Sequence, residues 1–402
     1  MKRVLFVIDS LNSGGAEKSL ISLLTLFDYS KYKVDLLLFS KQGLYLPLLP
    51  KQVRLLEVPD SVKSYEEGIR KLIADRKFKT LFNKMMLYIA HRQNIQRKRK
   101  HHAQINWRWM ADRIAKLDTT YDAAIAYSQG IPTYFVAEKV HAAKKFCWIN
   151  TDYRAAQYDK KFDAPFYARF QNIVAVSDVN KEVFTAEMPE AAGKTKVVYD
   201  IVSTAMISAM ALQKGGFEHD CDGTRILTIG RLVESKGYDL AIEACIRLKE
   251  KGYRFVWYII GEGPLKEELE RSIKSNGLNE HMKLLGTFHN PYTFLKQSDI
   301  YVQPSRFEGF GLAIAEARCL QKPVVATNFP VVHNQIKDRW NGLIVQMSGE
   351  ALYEGIRELI DDPGLRDSII QHLKIEDVGT ENEIHKVYEL IESNIDGAET
   401  QP

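Results

Sequence analysis

The sequence is poor in cysteine and has no long apolar run. Four cysteines, Cys147, Cys221, Cys245 and Cys319, are spread through 402 residues. No two stand at metal-ligand spacing, and a chain this long needs no disulfide staples. They read as free thiols of a reducing compartment. A spanning helix needs about 18 or more uncharged apolar residues in a row, and none occurs. The opening run VLFVI, between Arg3 and Asp9, is too short for the core of a secretory signal. These absences predict a cytoplasmic protein. Charge of one sign is lacking too: the net charge is +4, too mild to announce nucleic acid. The segment Asn12-Ser13-Gly14-Gly15-Ala16-Glu17 is not GxGxxG, which argues against a dinucleotide dehydrogenase. No acidic pair of the DxD kind sits in a loop suited to a metal, so no metal and no further cofactor is expected.

What is present is globular. Hydrophobic residues make up 45% and charged residues 26% of the chain, and 402 residues suit two domains of about 200 each. The run RVLFVIDS is followed by the glycine turn at Gly14-Gly15. Leu20, Leu23, Leu24 and Phe27 then recur at helical spacing, and KVDLLLFS follows. Strand, glycine turn, helix and strand make a βαβ unit. The grammar returns in TRILTIGRL, YDLAIEACIRLKEKG, RFVWYIIGEG, PLKEELERSIKSNGL (with its proline in the first helical turn), HMKLLGTF, YTFLKQS, DIYVQPS, GFGLAIAEARCL and PVVAT. The expected fold is α/β: two facing Rossmann-like, doubly wound domains with a cleft between them. The first covers 1–205 and the second 222–375, with a glycine- and acid-rich linker between. A helix within 376–396 is expected to pack back on the first domain. Ligands of such sheets bind outside the C-terminal ends of the strands.

Three strand-to-helix turns carry the chemistry. In Ser305-Arg306-Phe307-Glu308-Gly309-Phe310-Gly311-Leu312 a strand ends, two glycines allow tight backbone, and a helix begins. Its N-terminus suits a diphosphate. Glu316, inside that helix, suits a ribose diol, and Glu308, nearer the mouth, suits sugar hydroxyls. In Gly230-Arg231-Leu232-Val233-Glu234-Ser235-Lys236-Gly237 a planar fork and a point charge stand five residues apart. Together they match the charge growing on a leaving diphosphate. Gly14-Gly15 marks a third turn. Each feature alone is as readily an ordinary turn or a solvated surface; the joint occurrence favours a nucleotide-sugar site.

The chain resembles a retaining glycosyltransferase of family four, with the GT-B architecture. The resemblance rests on GGAEK at 14–18, GRLVESKG at 230–237, GEGP at 261–264, the Glu308-x7-Glu316 block, PVVAT and NGLIV. It implies that Arg231 and Lys236 hold the donor diphosphate, Glu316 the ribose, and Glu308 with Gly309, Phe310, Gly311 and Leu312 the donor sugar. Gly15 would approach the diphosphate, and Phe288 would border the base. It also implies a UDP-sugar donor and no metal. Members often carry a histidine where Cys147-Trp148-Ile149-Asn150-Thr151-Asp152 has Asn150, which hydrogen-bonds but takes no proton. The mechanism implied is electrostatic, with Arg231, Lys236, Glu308 and Asn150 as the catalytic group. A covalent intermediate on Glu308 is the alternative.

Residues 70–103 hold eleven cations and one anion, Asp75, interleaved with large apolar groups such as Phe78, Phe82, Met85 and Tyr88. This pattern suits an anionic membrane surface. It also reads as a solvated helical insertion with an apolar core face. The expected function is transfer of a hexose or N-acetylhexosamine to a glycan or lipid-linked acceptor in cell-surface polysaccharide synthesis, at the inner face of the membrane. A nucleotide-sugar epimerase and a non-catalytic nucleotide-sugar-binding partner are the competing classes.

Overall fold

Apolar runs without alternation are the mark of strands covered on both faces. Val4, Leu5, Phe6 and Val7 are fully buried, as are Leu36, Leu37 and Leu38. A computed structural model describes residues 1–12, 14–41, 43–57, 73–74, 76, 78–97, 101–218 and 221–393. Among these residues the strands form a seven-stranded and a six-stranded sheet, and every pairing inside them is parallel.

The first sheet holds β1 (Lys2–Ile8), β2 (Tyr32–Leu38), β3 (Arg54–Leu55), β4 (Thr120–Ala126), β5 (His141–Ile149), β6 (Asn172–Ala175) and β7 (Thr195–Val197). Their order is β3-β2-β1-β4-β5-β6-β7. The second holds β8 (Thr224–Ile229), β9 (Phe255–Ile260), β10 (Met282–Gly286), β11 (Ile300–Gln303), β12 (Val324–Thr327) and β13 (Leu343–Val345). Its order is β10-β9-β8-β11-β12-β13. Both sheets therefore reverse direction beside their first strand, at β1/β4 and at β8/β11. Crossovers on either side of such a switch point leave for opposite faces, and a crevice opens at the strand ends between them.

The chain divides into two compact units. One holds Met1–Asn12, Ala16–Tyr199 and the chain from Asn382; the other holds Asp200–Glu381 with Gly14 and Gly15. The crossing from one to the other comes at Tyr199/Asp200, before the 205–222 span read from the sequence. Helix Thr204–Ala211 lies in that span, yet it buries Ile207, Met210 and Ala211 against helices Tyr292–Gln297 and Leu312–Cys319 of the second unit. Apolar side chains of this kind do not stay in a solvated linker. A smaller correction concerns Pro264: helix Lys266–Ser275 starts two residues after it, so the proline shapes the preceding turn.

Helix Glu383–Glu392 closes the first unit. Tyr388 stacks on Tyr32 at 5.3 Å between ring centroids and meets Phe27 edge-on at 5.3 Å. Its hydroxyl accepts from the Asp28 N–H at 2.8 Å. The Lys144 ammonium donates to the last carbonyls of the helix, at Ile391 and Ser393, where the helix dipole favours a cation. Tyr388→Ala is expected to cost the first unit about 2 kcal/mol, read as a shift of its denaturant midpoint with unchanged slope.

Candidate functional site

Two loops leave the switch point of the second sheet, one after β8 and one after β11. They touch backbone to backbone. Gly237 adopts a left-handed conformation at φ +63°, and a Cβ there would stand 2.0 Å from the Pro304 carbonyl oxygen. Only glycine meets both demands. The Arg306 N–H then donates to the Ser235 carbonyl at 2.8 Å, and the Arg306 guanidinium pairs with Asp239 at 2.6 Å. Gly311, at φ +87°, turns the second loop into helix Leu312–Cys319.

Glu308 sits at the meeting point of these loops. The Lys236 ammonium donates to its Oε1 at 2.6 Å and its Oε2 at 2.7 Å. Ser305 Oγ donates to Oε1 at 2.6 Å, and Gln303 Nε2 donates to the same oxygen at 2.9 Å. The Tyr301 hydroxyl donates to Gln303 Oε1. Burial, reinforced by the Glu308 and Glu316 carboxylates, pushes the Tyr301 phenol well above its ordinary value, so it serves as a donor. Tyr238, likewise pushed up by burial, donates to the Gly230 carbonyl at 2.7 Å. Lys236 and Glu308 are mostly shielded, with side chains 21% and 10% exposed. Arg231 differs: its side chain is exposed and has no hydrogen-bond or ion-pair partner among the described residues. The two cations read as one clamp thus start in different states.

Glu316 lies in the second turn of its helix, 2% exposed, and accepts from the Tyr292 hydroxyl at 3.0 Å. The Gln335 amide donates to the carbonyls of Phe310 and, at 3.2 Å, of Gly311. It holds the Gly309–Leu312 segment from behind. Phe288, in the loop after β10, packs on Phe294 at 4.5 Å. Gly15 opens helix Gly15–Leu26.

Asn150 belongs to the first unit, just past the end of β5. Its Nδ2 donates to the Tyr127 carbonyl at 2.6 Å, and its N–H donates to Gln129 Oε1 at 3.2 Å. Gln129 Oε1 also accepts from Thr151 N–H at 3.0 Å and Thr151 Oγ1 at 2.8 Å. Asn150 Oδ1 and Gln129 Nε2 are buried and have no partner among the described residues. The turn after β5 is braced from below. Asp163, 1% exposed, accepts from Gln104, Tyr134 and Tyr153, each at 2.7 Å.

The structure therefore gathers Lys236 and Glu308 into one network, with Glu316 in the helix that follows. Asn150 stands in the other unit. Gln303, Tyr292, Gln335 and Gln129 were absent from the sequence reading. A signal existed for the first: Tyr301, Gln303 and Ser305 alternate along one face of a strand that is otherwise apolar.

Residues 213–374, which carry this network, match the family model described as glycosyl transferases group 1. They form a group 1 glycosyltransferase domain. The whole chain has the GT-B two-domain α/β fold. HepE of Anabaena, solved with UDP-glucose, superposes with a TM-score of 0.70 at 17% identity, covering 98% of this chain and 100% of that one. An alpha-D-kanosaminyltransferase of Streptomyces kanamyceticus is 28% identical over 150 residues, 37% of this chain and 39% of that protein. The N-acetylgalactosamine-N,N'-diacetylbacillosaminyl-diphospho-undecaprenol 4-alpha-N-acetylgalactosaminyltransferase of Campylobacter jejuni is 29% identical over 202 residues, 50% of this chain and 53% of that protein. The chain thus aligns with about two fifths to one half of the length of these curated relatives.

The group 1 domain depends on the close approach at Gly237. Gly237→Ala forces a side chain against the Pro304 carbonyl in a left-handed backbone. It is expected to destabilise the domain by about 2 kcal/mol or more, measured by denaturant unfolding.

Proposed function

We propose that the protein is a retaining, metal-independent glycosyltransferase of family four. It moves a hexose or N-acetylhexosamine from a UDP-sugar to a glycan or lipid-linked acceptor in cell-surface polysaccharide synthesis. The observation that carries this reading is the network at β8/β11: an exposed Arg231 with no partner among the described residues, a Lys236–Glu308 ion pair and a buried Glu316, all at the switch point of a parallel sheet.

The roles follow from donor counts. An ammonium has three N–H donors, and Lys236 gives two to Glu308. The third is available to a diphosphate oxygen. Arg231 adds a planar fork, and the two cations neutralise charge as the sugar–phosphate bond breaks. Glu316 takes the ribose hydroxyls, with Tyr292 holding its carboxylate. The Glu308 carboxylate already accepts four hydrogen bonds, three of them on Oε1, and hydrogen bonding lowers its nucleophilicity, which favours an electrostatic and orienting part for Glu308 over a covalent one. Attack by the acceptor from the leaving-group face then retains the configuration.

Calorimetric titration with UDP, GDP and ADP tests the site. UDP is expected to bind best, Arg231→Ala to weaken it about tenfold or more, and Glu316→Ala to weaken it as well. Turnover is expected to survive a chelator. If no nucleotide binds the intact protein, the reading is lost.

A membrane-facing surface belongs to the same proposal. Of the basic segment, 70–72, 75, 77 and 98–100 lie outside the described residues. Helix Phe78–Arg97 is described, and along it Phe78, Phe82, Met85 and Ile89 are 61%, 54%, 52% and 39% exposed. Their spacing puts them on one face, and Arg92 extends from the same helix into solvent. No helix of the described residues is long and apolar enough to cross a membrane. Docking from one side, on anionic lipid, fits this stripe. Co-flotation with phosphatidylglycerol liposomes at low salt is expected, and Phe82→Asp with Met85→Asp is expected to abolish it. Failure of the unsubstituted protein to float would rule the surface out.

A further inference from the structure

Gln303, the last residue of β11, is buried. The two ends of its amide differ in polarity: Oε1 accepts, and Nε2 donates two hydrogens. Both ends are committed. Oε1 accepts from the Tyr301 hydroxyl. One Nε2 hydrogen goes to Ser305 Oγ at 2.7 Å and the other to Glu308 Oε1 at 2.9 Å. Because Ser305 Oγ accepts from Gln303, its own hydrogen is left for Glu308 Oε1, at 2.6 Å. The bonds therefore run in one direction, from Tyr301 through Gln303 and Ser305 to Glu308. Turned over, the amide would set its oxygen against the Glu308 carboxylate and leave that carboxylate one donor short. Tyr301 decides against that state. It is fully buried, and burial holds its phenol protonated. The Ile229 carbonyl, at 3.3 Å, is the more distant of the two acceptors for its hydrogen.

We propose that Tyr301 and Gln303 are positioning residues for the donor sugar, fixing the Glu308 carboxylate so that Oε2 is the oxygen that takes a sugar hydroxyl. Counting acceptor places carries this. A carboxylate offers about four lone-pair sites, two on each oxygen. Oε1 accepts from Lys236, Gln303 and Ser305 and has no place left. Oε2 accepts from Lys236 alone among the described residues, at 2.7 Å, and keeps a place. Neither Tyr301 nor Gln303 touches the sugar in this account; both act through Glu308. Without the Gln303 amide, Oε1 loses a donor and the carboxylate is free to turn on Lys236. The hydroxyl then meets an acceptor that no longer waits in one place. The inference rests on the nucleotide-sugar reading of this site.

Calorimetry on the full chain with UDP, UDP-glucose and UDP-N-acetylglucosamine tests this. The readout is the affinity for the UDP-sugar relative to UDP, taken for whichever UDP-sugar the unsubstituted protein binds more tightly. Gln303→Met keeps the length of the side chain and removes both polar ends. It is expected to lower that ratio about tenfold, with UDP affinity unchanged. Tyr301→Phe removes only the hydroxyl and is expected to lower the ratio by less. Added to Gln303→Met it is expected to lower it no further, because it acts through that amide. A merely structural role would weaken UDP together with the UDP-sugar, since the same loops carry the cations. Equal losses for both ligands, an unchanged ratio, or additive losses in the double variant overturn the proposal. Should Gln303→Met fail to fold, Tyr301→Phe decides alone: the ratio must fall while UDP affinity holds. If the unsubstituted protein binds UDP but neither UDP-sugar, the positioning role falls and the nucleotide site stands. If it binds none of the three, both fall.

Discussion

The carboxylate of Glu308 lies away from bulk water and needs donors to stay there. It takes them from Lys236, Ser305 and Gln303, and this demand organises the second unit's binding edge. Lys236 comes from the loop after β8, Gln303 from the end of β11 and Ser305 from the turn beyond it. Bringing them to one carboxylate requires the two loops to touch through their backbones, which is why Gly237 lies against the Pro304 carbonyl. The sheet order allows the contact, because β8 and β11 are neighbours. Behind the carboxylate, Tyr301 and Thr327 fasten Gln303 and Ser305 to the strands. A buried network of this kind is rigid when each member is satisfied.

The guanidinium of Arg231 contrasts with that order: it is exposed and has no partner among the described residues, whereas the Lys236 ammonium is held by Glu308.

The first unit solves the same problem differently. Its edge at β4 and β5 carries amides rather than charges, braced by Asp163 and three donors. Burial pushes the Asp163 carboxyl up, and the hydrogen bonds from Tyr153, Gln104 and Tyr134 pull against it. Two amide atoms remain without partners there.

Much of this was legible in the sequence. Continuous apolar runs announced the parallel strands of the second sheet, because strands covered on both faces cannot alternate. Glycine turns between strand and helix announced the loops that carry Arg231, Lys236, Glu308 and Glu316. Other strands of the first sheet were not read: central β4 is alanine-rich and the edge strand β3 holds two residues, too little branched or repeated character to stand out from a helix. The linker also misled, since helix Thr204–Ala211 carries apolar residues whose partners lie 80 or more positions further on. What the sequence by itself determined was local: which segments are strands, where glycine is demanded and which charges stand on which loop. What tertiary structure alone decided was pairing across distance. That Lys236 binds Glu308, that Tyr292 holds Glu316 and that Gln129 stands beside Asn150 depend on the order of strands in each sheet, and strand order is set by the packing of crossover helices far from those residues in the chain.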